Sequence, residues 1–383
     1  MYINKLHIEK YKVLEDIDII FQVPQNNKNI INVIAGVNGS GKTTLLEWIY
    51  SYLGGHIQII NNMGVKNISF TLNIKSGTLL LDNTLELNFE TYQEFSNKVI
   101  NEKFKNEKII FFDSHTIAKE MTQFIGNQNS FENHKFLNYI DTKLILSLSE
   151  DYIKNYIING VMNSNIPNPQ KRQKLVISEF NKLFKSTSLV SKLYSIDNKH
   201  KPIFKTVNGE YIGIEQLSSG EKQLYGRVVF LTMLNPKNSI ILIDEPDLAL
   251  HPKWQTEIME IYENIGENNQ FIITTHSPFI ISQTNYKNLI FLLKEDNKII
   301  PKQFSSPPLD RDINSISKTI METEYEPKKL KILHNEYREL FNANKEENSK
   351  GSELRSKILE WESPNSSFWQ SIAFDKELRD FEE

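Results

Sequence analysis

Cysteine is absent from the 383 residues, which excludes disulfides, zinc ribbons and thiol catalysis. Long apolar runs are missing as well; none approaches the roughly 18–20 residues of a membrane span. The opening residues, Met1-Tyr2-Ile3-Asn4-Lys5-Leu6, lack the apolar core of a signal peptide. The expectation is a soluble, cytoplasmic protein with no membrane partner. Surplus positive charge is lacking too. A net charge of −4 excludes a globally basic nucleic-acid coat and leaves room only for a local basic groove. The length suffices for a full core and two or three domains.

What is present is organised around Gly36-Val37-Asn38-Gly39-Ser40-Gly41-Lys42-Thr43, which fits G-x-x-x-x-G-K-[ST]. Asn29 to Ala35 reads as a short buried strand, and Thr44 to Tyr50 as a helix stopped by Gly54-Gly55. A strand, a glycine loop and a helix N-terminus wrap backbone N–H groups around a triphosphate. In that frame Lys42 reaches the β- and γ-phosphates and the Thr43 hydroxyl binds Mg²⁺.

Around this loop the chain reads as follows. Residues 2–23 alternate as two strands, with a turn near Glu15-Asp16. Tyr11-Lys12 lies between them, as a surface turn or as an aromatic and a cation able to touch adenine or ribose. Residues 67–74 and 84–89 alternate as an antiparallel hairpin. Lys108 to Phe112 is a central strand, ending in Asp113-Ser114-His115. Residues 144–157 and 175–184 look helical, separated by Pro167 and Pro169. No heptad persists, so this is a compact insert and not a long coiled coil. Asn208-Gly209, between alternating runs, predicts a type I′ hairpin over 203–212. Leu217-Ser218-Ser219-Gly220-Glu221 then opens an apolar helix. Ile240 to Ile243 delivers Asp244 and Glu245 to the phosphate end of the sheet. Pro252 starts a helix, Phe271 to Thr275 is a core strand ending at His276, and 288–300 is a closing hairpin turning at Asp296-Asn297. The tail, Phe368-Trp369-Gln370-Ser371-Ile372-Ala373-Phe374, is aromatic-rich, and either packs on its own domain or docks on a partner.

P-loop, Leu-Ser-Ser-Gly-Glu, Asp-Glu strand and His strand, in that order, resemble an ABC-type ATPase of the soluble RecF/SMC/OLD-like branch. The likeness covers residues 1–55 and 200–300. The fold it implies is α/β: an ATPase head with a mixed sheet, split into 1–115 and 201–303. A helical insert falls at 116–200, and a helical C-terminal region at 304–383 is a candidate docking surface. By the resemblance, Gly36, Asn38, Gly39, Ser40, Gly41, Lys42, Thr43 and Thr44 form Walker A and bind nucleotide. Thr43 and Asp244, the Walker B acid, serve the metal. Glu245 polarises the attacking water, and His276 contacts the γ-phosphate beside Lys42. Asp247 opens the D-loop. Ser218, Ser219 and Gly220 form the signature, departing from Leu-Ser-Gly-Gly-Gln at Ser219 and Glu221. In the superfamily the signature closes on ATP held by a second subunit, which implies a head-to-tail homodimer or higher oligomer with ATP and Mg²⁺ as cofactors. The usual glutamine after Walker A stays open among Gln58, Gln123 and Gln128.

The stretch Asp244 to Pro252 and the medium-sized insert are similar to bacterial anti-phage ATPases of the Septu, PARIS and retron-associated kinds. These imply a separate effector, a nuclease. An SMC-like or DNA-repair clamp acting on DNA is the alternative, and nucleic acid stays open as a partner, although no long coiled coil is seen. An OLD-type nuclease in one chain needs an acidic Glu-Gly after His276, which 288–300 lacks. The signature and the insert speak against a transporter subunit.

Overall fold

The computed structural model describes residues 2–54, 66–74, 77–81, 108–112, 136–137, 142–296, 298–305 and 327–382. Strands β1 (Tyr2–Tyr11), β2 (Leu14–Ile20) and β3 (Ile30–Gly36) lead into helix α1 (Lys42–Gly54). Strands β4 (Lys66–Ile74), β5 (Gly77–Leu81), β6 (Ile109–Phe112) and β7 (Phe136–Leu137) follow. Helices α2 (Thr142–Met162) and α3 (Pro169–Asn181) precede three short strands, β8 (Lys192–Ile196), β9 (Pro202–Lys205) and β10 (Tyr211–Gly213). Then come α4 (Ser219–Leu234), β11 (Ile240–Asp244), α5 (Pro252–Glu263) and β12 (Gln270–Thr275). Helix α6 (Pro278–Gln283) and the hairpin β13 (Leu289–Glu295) and β14 (Lys298–Gln303) complete this part. Helices α7 (Lys328–Asn342), α8 (Ser349–Leu359) and α9 (Ser367–Glu382) follow. Contacts divide the chain into two compact units, Met1–Ile316 and Ser317–Glu383.

The first unit is built on a seven-stranded sheet in the order β14-β13-β3-β12-β11-β6-β7. Only β14 runs antiparallel to its neighbour. Strands β3, β11 and β12 read as continuous apolar runs because both faces of a parallel sheet are covered. Strand β6 shows how. Its successive side chains point to opposite faces, so Phe111 meets Tyr50 of α1 (5.7 Å between rings) and Phe112 meets Phe230 of α4 (6.0 Å). A second sheet, β2-β1-β4-β5, is antiparallel. Its inward residues Ile3, Leu6, Ile8, Ile17 and Ile19 share one core with Leu45, Leu46, Trp48 and Ile49 of α1 and with Ile34, Ile272 and Leu292. The mixed α/β head with antiparallel strands is thus the fold the motifs implied. Among the described residues no helix is long and apolar enough to cross a membrane.

Local details differ from the sequence reading. Tyr11 pairs with Leu14, so the first turn is Lys12-Val13, while Asp16 holds its left-handed φ of 55° inside β2. An Asp that tolerates this region gave a turn signal in the wrong place. At 206–210 the loop is longer than the type I′ turn expected. Gly209 N donates to Thr206 O (3.0 Å) and Thr206 N to Glu210 O (2.9 Å). Gly209 has φ +85° whereas Asn208 is not among the positive-φ residues, so a single left-handed glycine closes the turn. Residues 84–89 and Asp113-Ser114-His115 lie outside the described residues; β4 pairs with β1 and, as a hairpin, with β5. The expected helices appear as α2 and α3, with Pro169 at the start of α3. Ile153 and Ile157 of α2 are buried, and Ser149 Oγ donates to Gly226 O of α4 (3.4 Å). These helices therefore belong to the same compact unit as the sheet.

The second unit has a core of its own, formed by Leu330, Tyr337, Phe341, Leu354, Ile358, Trp369 and Ile372. The aromatic tail divides accordingly. Trp369 is buried and Phe368 stacks on His334, whereas Phe374 and Phe381 are exposed.

Candidate active site

In a parallel sheet the loops after the carboxyl ends of adjacent strands gather on one edge. Thr274 of β12 is in register with both Ile34 of β3 and Asp244 of β11. The loop after β3, the acids after β11 and the histidine after β12 therefore emerge side by side. Asn38 and Gly39 form the exposed crest of the glycine loop, while Ser40 and Lys42 are buried. Ser40 Oγ has no hydrogen-bond partner among the described atoms, a buried polar group suited to a polar ligand. Leu45 N donates to Gly41 O (2.8 Å), which starts α1 and leaves the N–H groups before it turned to the loop. Thr44 stands in its first turn.

Lys42 Nζ donates to the carbonyls of Gly36 (3.0 Å) and Val37 (3.2 Å) and lies 2.7 Å from His276 Nε2. Burial lowers the ammonium to about 8, although Glu245, Asp244 and Asp247 pull it back up. His276 is driven down to about 4 by burial first and by the Lys42 charge second. The imidazole is thus neutral near pH 7, and this hydrogen bond assigns Nε2 as the acceptor. Glu245 Oε1 stands 3.4 Å from the same nitrogen. Glu245 itself has φ 44°, an uncommon conformation for a residue without glycine's freedom. Its N–H donates to Thr274 O (3.1 Å) and fixes the carboxylate at the strand end.

Thr43 Oγ1 lies 3.1 and 3.0 Å from the two oxygens of Asp244. A hydroxyl and a carboxylate this close are the hard oxygen donors that Mg²⁺ takes, so these residues fit the ion. Thr274 Oγ1 donates to Asp244 as well. Thr275 Oγ1 donates to Asp247 Oδ1 (2.6 Å), whose carboxyl is raised above its usual range by burial. The structure thus brings Lys42, Thr43, Asp244, Glu245 and His276 together.

Ser218, Ser219 and Gly220 are placed differently. Ser218 caps α4: its Oγ accepts from Glu221 N (3.3 Å) while the Glu221 carboxylate accepts from Ser218 N (3.1 Å). This reciprocal capping box explains a glutamate at that position. Ser218 and Ser219 are exposed. Gly220 packs so closely that an added Cβ would come within 2.7 Å of Ala249 O and 3.0 Å of the Trp254 ring. The signature is therefore seated on the residues after Walker B.

Residues 31–282 match the family described as "AAA domain, putative AbiEii toxin, Type IV TA system". The chain belongs to this family. It carries that family's ATPase domain, and nucleotide binding goes with it. The chain is 34% identical to the "Retron Vc95 probable ATPase" of Vibrio cholerae over 43% of its own length and 33% of the relative's. It spans only about a third of that curated relative. A Septu protein, PtuA of Bacillus thuringiensis, is 27% identical over 71% of this chain and 73% of its own length. Among solved structures, an SMC head bound to the C-terminal winged-helix domain of ScpA superposes with a TM-score of 0.46 at 15% identity, covering 79% of this chain and 98% of that one. The expected likeness to retron-associated and Septu ATPases is borne out.

Several residues at the site escaped the sequence reading. Thr274 and Thr275 were visible only as two hydroxyls ending an apolar strand. Arg227, buried in α4, donates to Pro246 O (3.1 Å). Gln255 of α5 donates to Leu250 O (2.9 Å) and accepts from Ser277 Oγ (2.6 Å), which ties the loop after Walker B to the loop of His276. The Ser-x-x-Glu spacing of 218–221 did carry a signal, that of a capping box. Glu221 also accepts from Ser191 N (3.0 Å) and is 5% exposed. Glu221→Ala is expected to destabilise the fold by about 1–3 kcal/mol, because the buried Ser191 N–H and the capping Ser218 N–H lose their acceptor. A lowered thermal midpoint checks this; an unchanged one would show the box to be dispensable. The candidate glutamines Gln58, Gln123 and Gln128 lie outside the described residues.

Proposed function

We propose that the chain hydrolyses ATP with Mg²⁺ at sites shared between two copies arranged head to tail. The cycle controls a separate effector, a nuclease, in anti-phage defence. The observation that carries the reading is the convergence of Lys42, Thr43, Asp244, Glu245 and His276 at one edge of the parallel sheet.

In this scheme Lys42 exchanges its inward bonds for the β- and γ-phosphate oxygens, and the loop N–H groups hold the remaining charge. Thr43 and Asp244 would hold Mg²⁺, which supplies neutralisation of phosphate charge. Glu245 accepts a proton from the attacking water. His276, kept neutral, orients toward the γ-phosphate beside Glu245. One face of the γ-phosphate still needs donors. Ser218 and Ser219 are exposed; among the described residues Ser218 bonds within its own turn, and Gly220 beside them is seated on Ala249. Leu248, in the loop that Gly220 touches through Ala249, is 44% exposed, an apolar residue fit for a second copy. These features support a signature that serves another chain's nucleotide. The names of the Septu and retron relatives support the defence assignment.

The test mixes two inactive chains, Lys42→Ala and Ser218→Arg. Each homodimer has no intact composite site, whereas the heterodimer has one intact P-loop facing one intact signature. Single-turnover hydrolysis should recover to at most about half of the wild-type sites, and to less if closure is cooperative. Wild-type activity in the Ser218→Arg parent, or no recovery with heterodimers demonstrated, would count against shared sites.

A further inference from the structure

A chain of net charge −4 concentrates six lysines and only two carboxylates, Asp197 and Glu210, between residues 182 and 212. This stretch, which follows α3, folds as a short turn of helix at Lys182–Phe184 and the three-stranded sheet β10-β9-β8. The inner face of that sheet is apolar: Leu193 and Phe204 are buried, and Phe204 packs on Tyr225 of α4. The outer face is a different surface. Lys205 is in register with Lys192 on one side and with Tyr211 on the other, so all three share one row. Tyr194 sits where the β8 register shifts, and its ring lies 4.9 Å from that of Tyr211. Lys205 Nζ lies 5.7 and 5.8 Å from the two ring centres. Both tyrosines are about half exposed, at 51% and 55%, and Val207 in the β9–β10 turn is 76% exposed.

The charge of this stretch is only partly spent internally. Lys182 pairs with Glu179 (2.6 Å) and Lys201 with Glu150 (3.6 Å). Asp197 accepts from the backbone N–H groups of Lys199 and Lys201. Among the described residues, Lys185, Lys192 and Lys205 have no carboxylate within ion-pair distance. Lys182, Lys185 and Lys192 line a cavity of about 270 Å³ floored by Phe184, Leu189 and Tyr225. Lys192 thus joins a cationic hollow to an aromatic platform.

We propose that this surface binds single-stranded nucleic acid, with unstacked bases on Tyr194 and Tyr211 and phosphates at Lys205, Lys192 and Lys185. Aromatic rings interleaved with unpaired cations match the alternating bases and phosphates of a single strand. A duplex hides its base faces and offers only charge.

The experiment measures anisotropy of labelled dT20 and U20 with the full chain, using the thermal midpoint of each variant to confirm folding. Binding of either strand is expected, and comparing the two tells DNA from RNA. Replacing both rings, Tyr194→Ala with Tyr211→Ala, should weaken binding at least about tenfold. The Tyr194→Phe, Tyr211→Phe pair keeps the rings and should stay within about threefold of wild type. Three phosphate contacts give a slope of roughly −2 for log K against log salt, and Lys185→Gln with Lys192→Gln should reduce it to about −0.7. Four results would overturn the proposal. They are a folded wild type that binds neither strand, an alanine pair that binds as wild type does, a duplex of the same length that binds as tightly, and polyglutamate that competes as well as unlabelled dT20.

Discussion

Lys42→Ala is expected to abolish turnover and to weaken ATP binding by about 10²-fold or more. The side chain is 4% exposed, and its ammonium lies within the loop, bonded to Gly36 O and Val37 O. A charge-assisted hydrogen bond contributes about 1.5–3 kcal/mol, and this ammonium would make at least two to the phosphates. Arginine is no substitute, because its planar fork cannot fill the compact position between Gly36 O, Val37 O and His276 Nε2. Calorimetric titration with ATP and phosphate-release assays on the purified variant check both effects, with the thermal midpoint as a control for folding. Undiminished turnover would remove the basis for the ATPase reading.

Glu245→Gln should bind ATP normally and hydrolyse it about 10²–10⁴-fold more slowly, the range a positioned general base supplies. The amide keeps the shape of the carboxylate and its backbone anchor on Thr274, but it takes up no proton. If the sites are shared between copies, nucleotide trapped unhydrolysed holds the assembly closed. Light scattering should then show an ATP-dependent increase in mass for this variant. Hydrolysis within threefold of wild type would move the base elsewhere. A mass indifferent to ATP would speak against the closed dimer, unless the protein is oligomeric throughout.

Much of this site was readable before the coordinates because its determinants are local. A buried strand, a glycine loop and a helix start occupy consecutive residues, and β11 shows its acids directly after four apolar positions. The neighbourhood of β3, β11 and β12 is not local, and nothing in 30–36 says which strand will lie beside it. The hydroxyls of Thr274 and Thr275 gain meaning only once Asp244 and Asp247 stand next to them. Arg227 is one charge on an apolar helix, and its partner, Pro246 O, is a backbone atom that no pattern marks. Turn type failed for another reason. Asn208-Gly209 suits a two-residue turn, but the register of β9 and β10 leaves five residues to close, and the backbone took the conformation that fits that gap.

The position of β3 in the sheet bears on how the protein is made. Its two neighbours are β12 and β13, with Val33 paired to Ile273 on one side and Leu289 on the other. The first strand is clasped from as far away, for Ile3 N donates to the Gln270 side chain across 267 residues. A ribosome adding about 5–20 residues per second would need roughly 10–50 s to reach those partners. During that interval the apolar β3 has both edges unpaired, the condition that invites intermolecular strand pairing. Such sequence-distant pairings also slow spontaneous refolding. The Walker loop, synthesised long before the strands that flank β3, is thus among the last parts able to take its working shape. Nascent chains that have not yet reached β13 are expected to depend on chaperones.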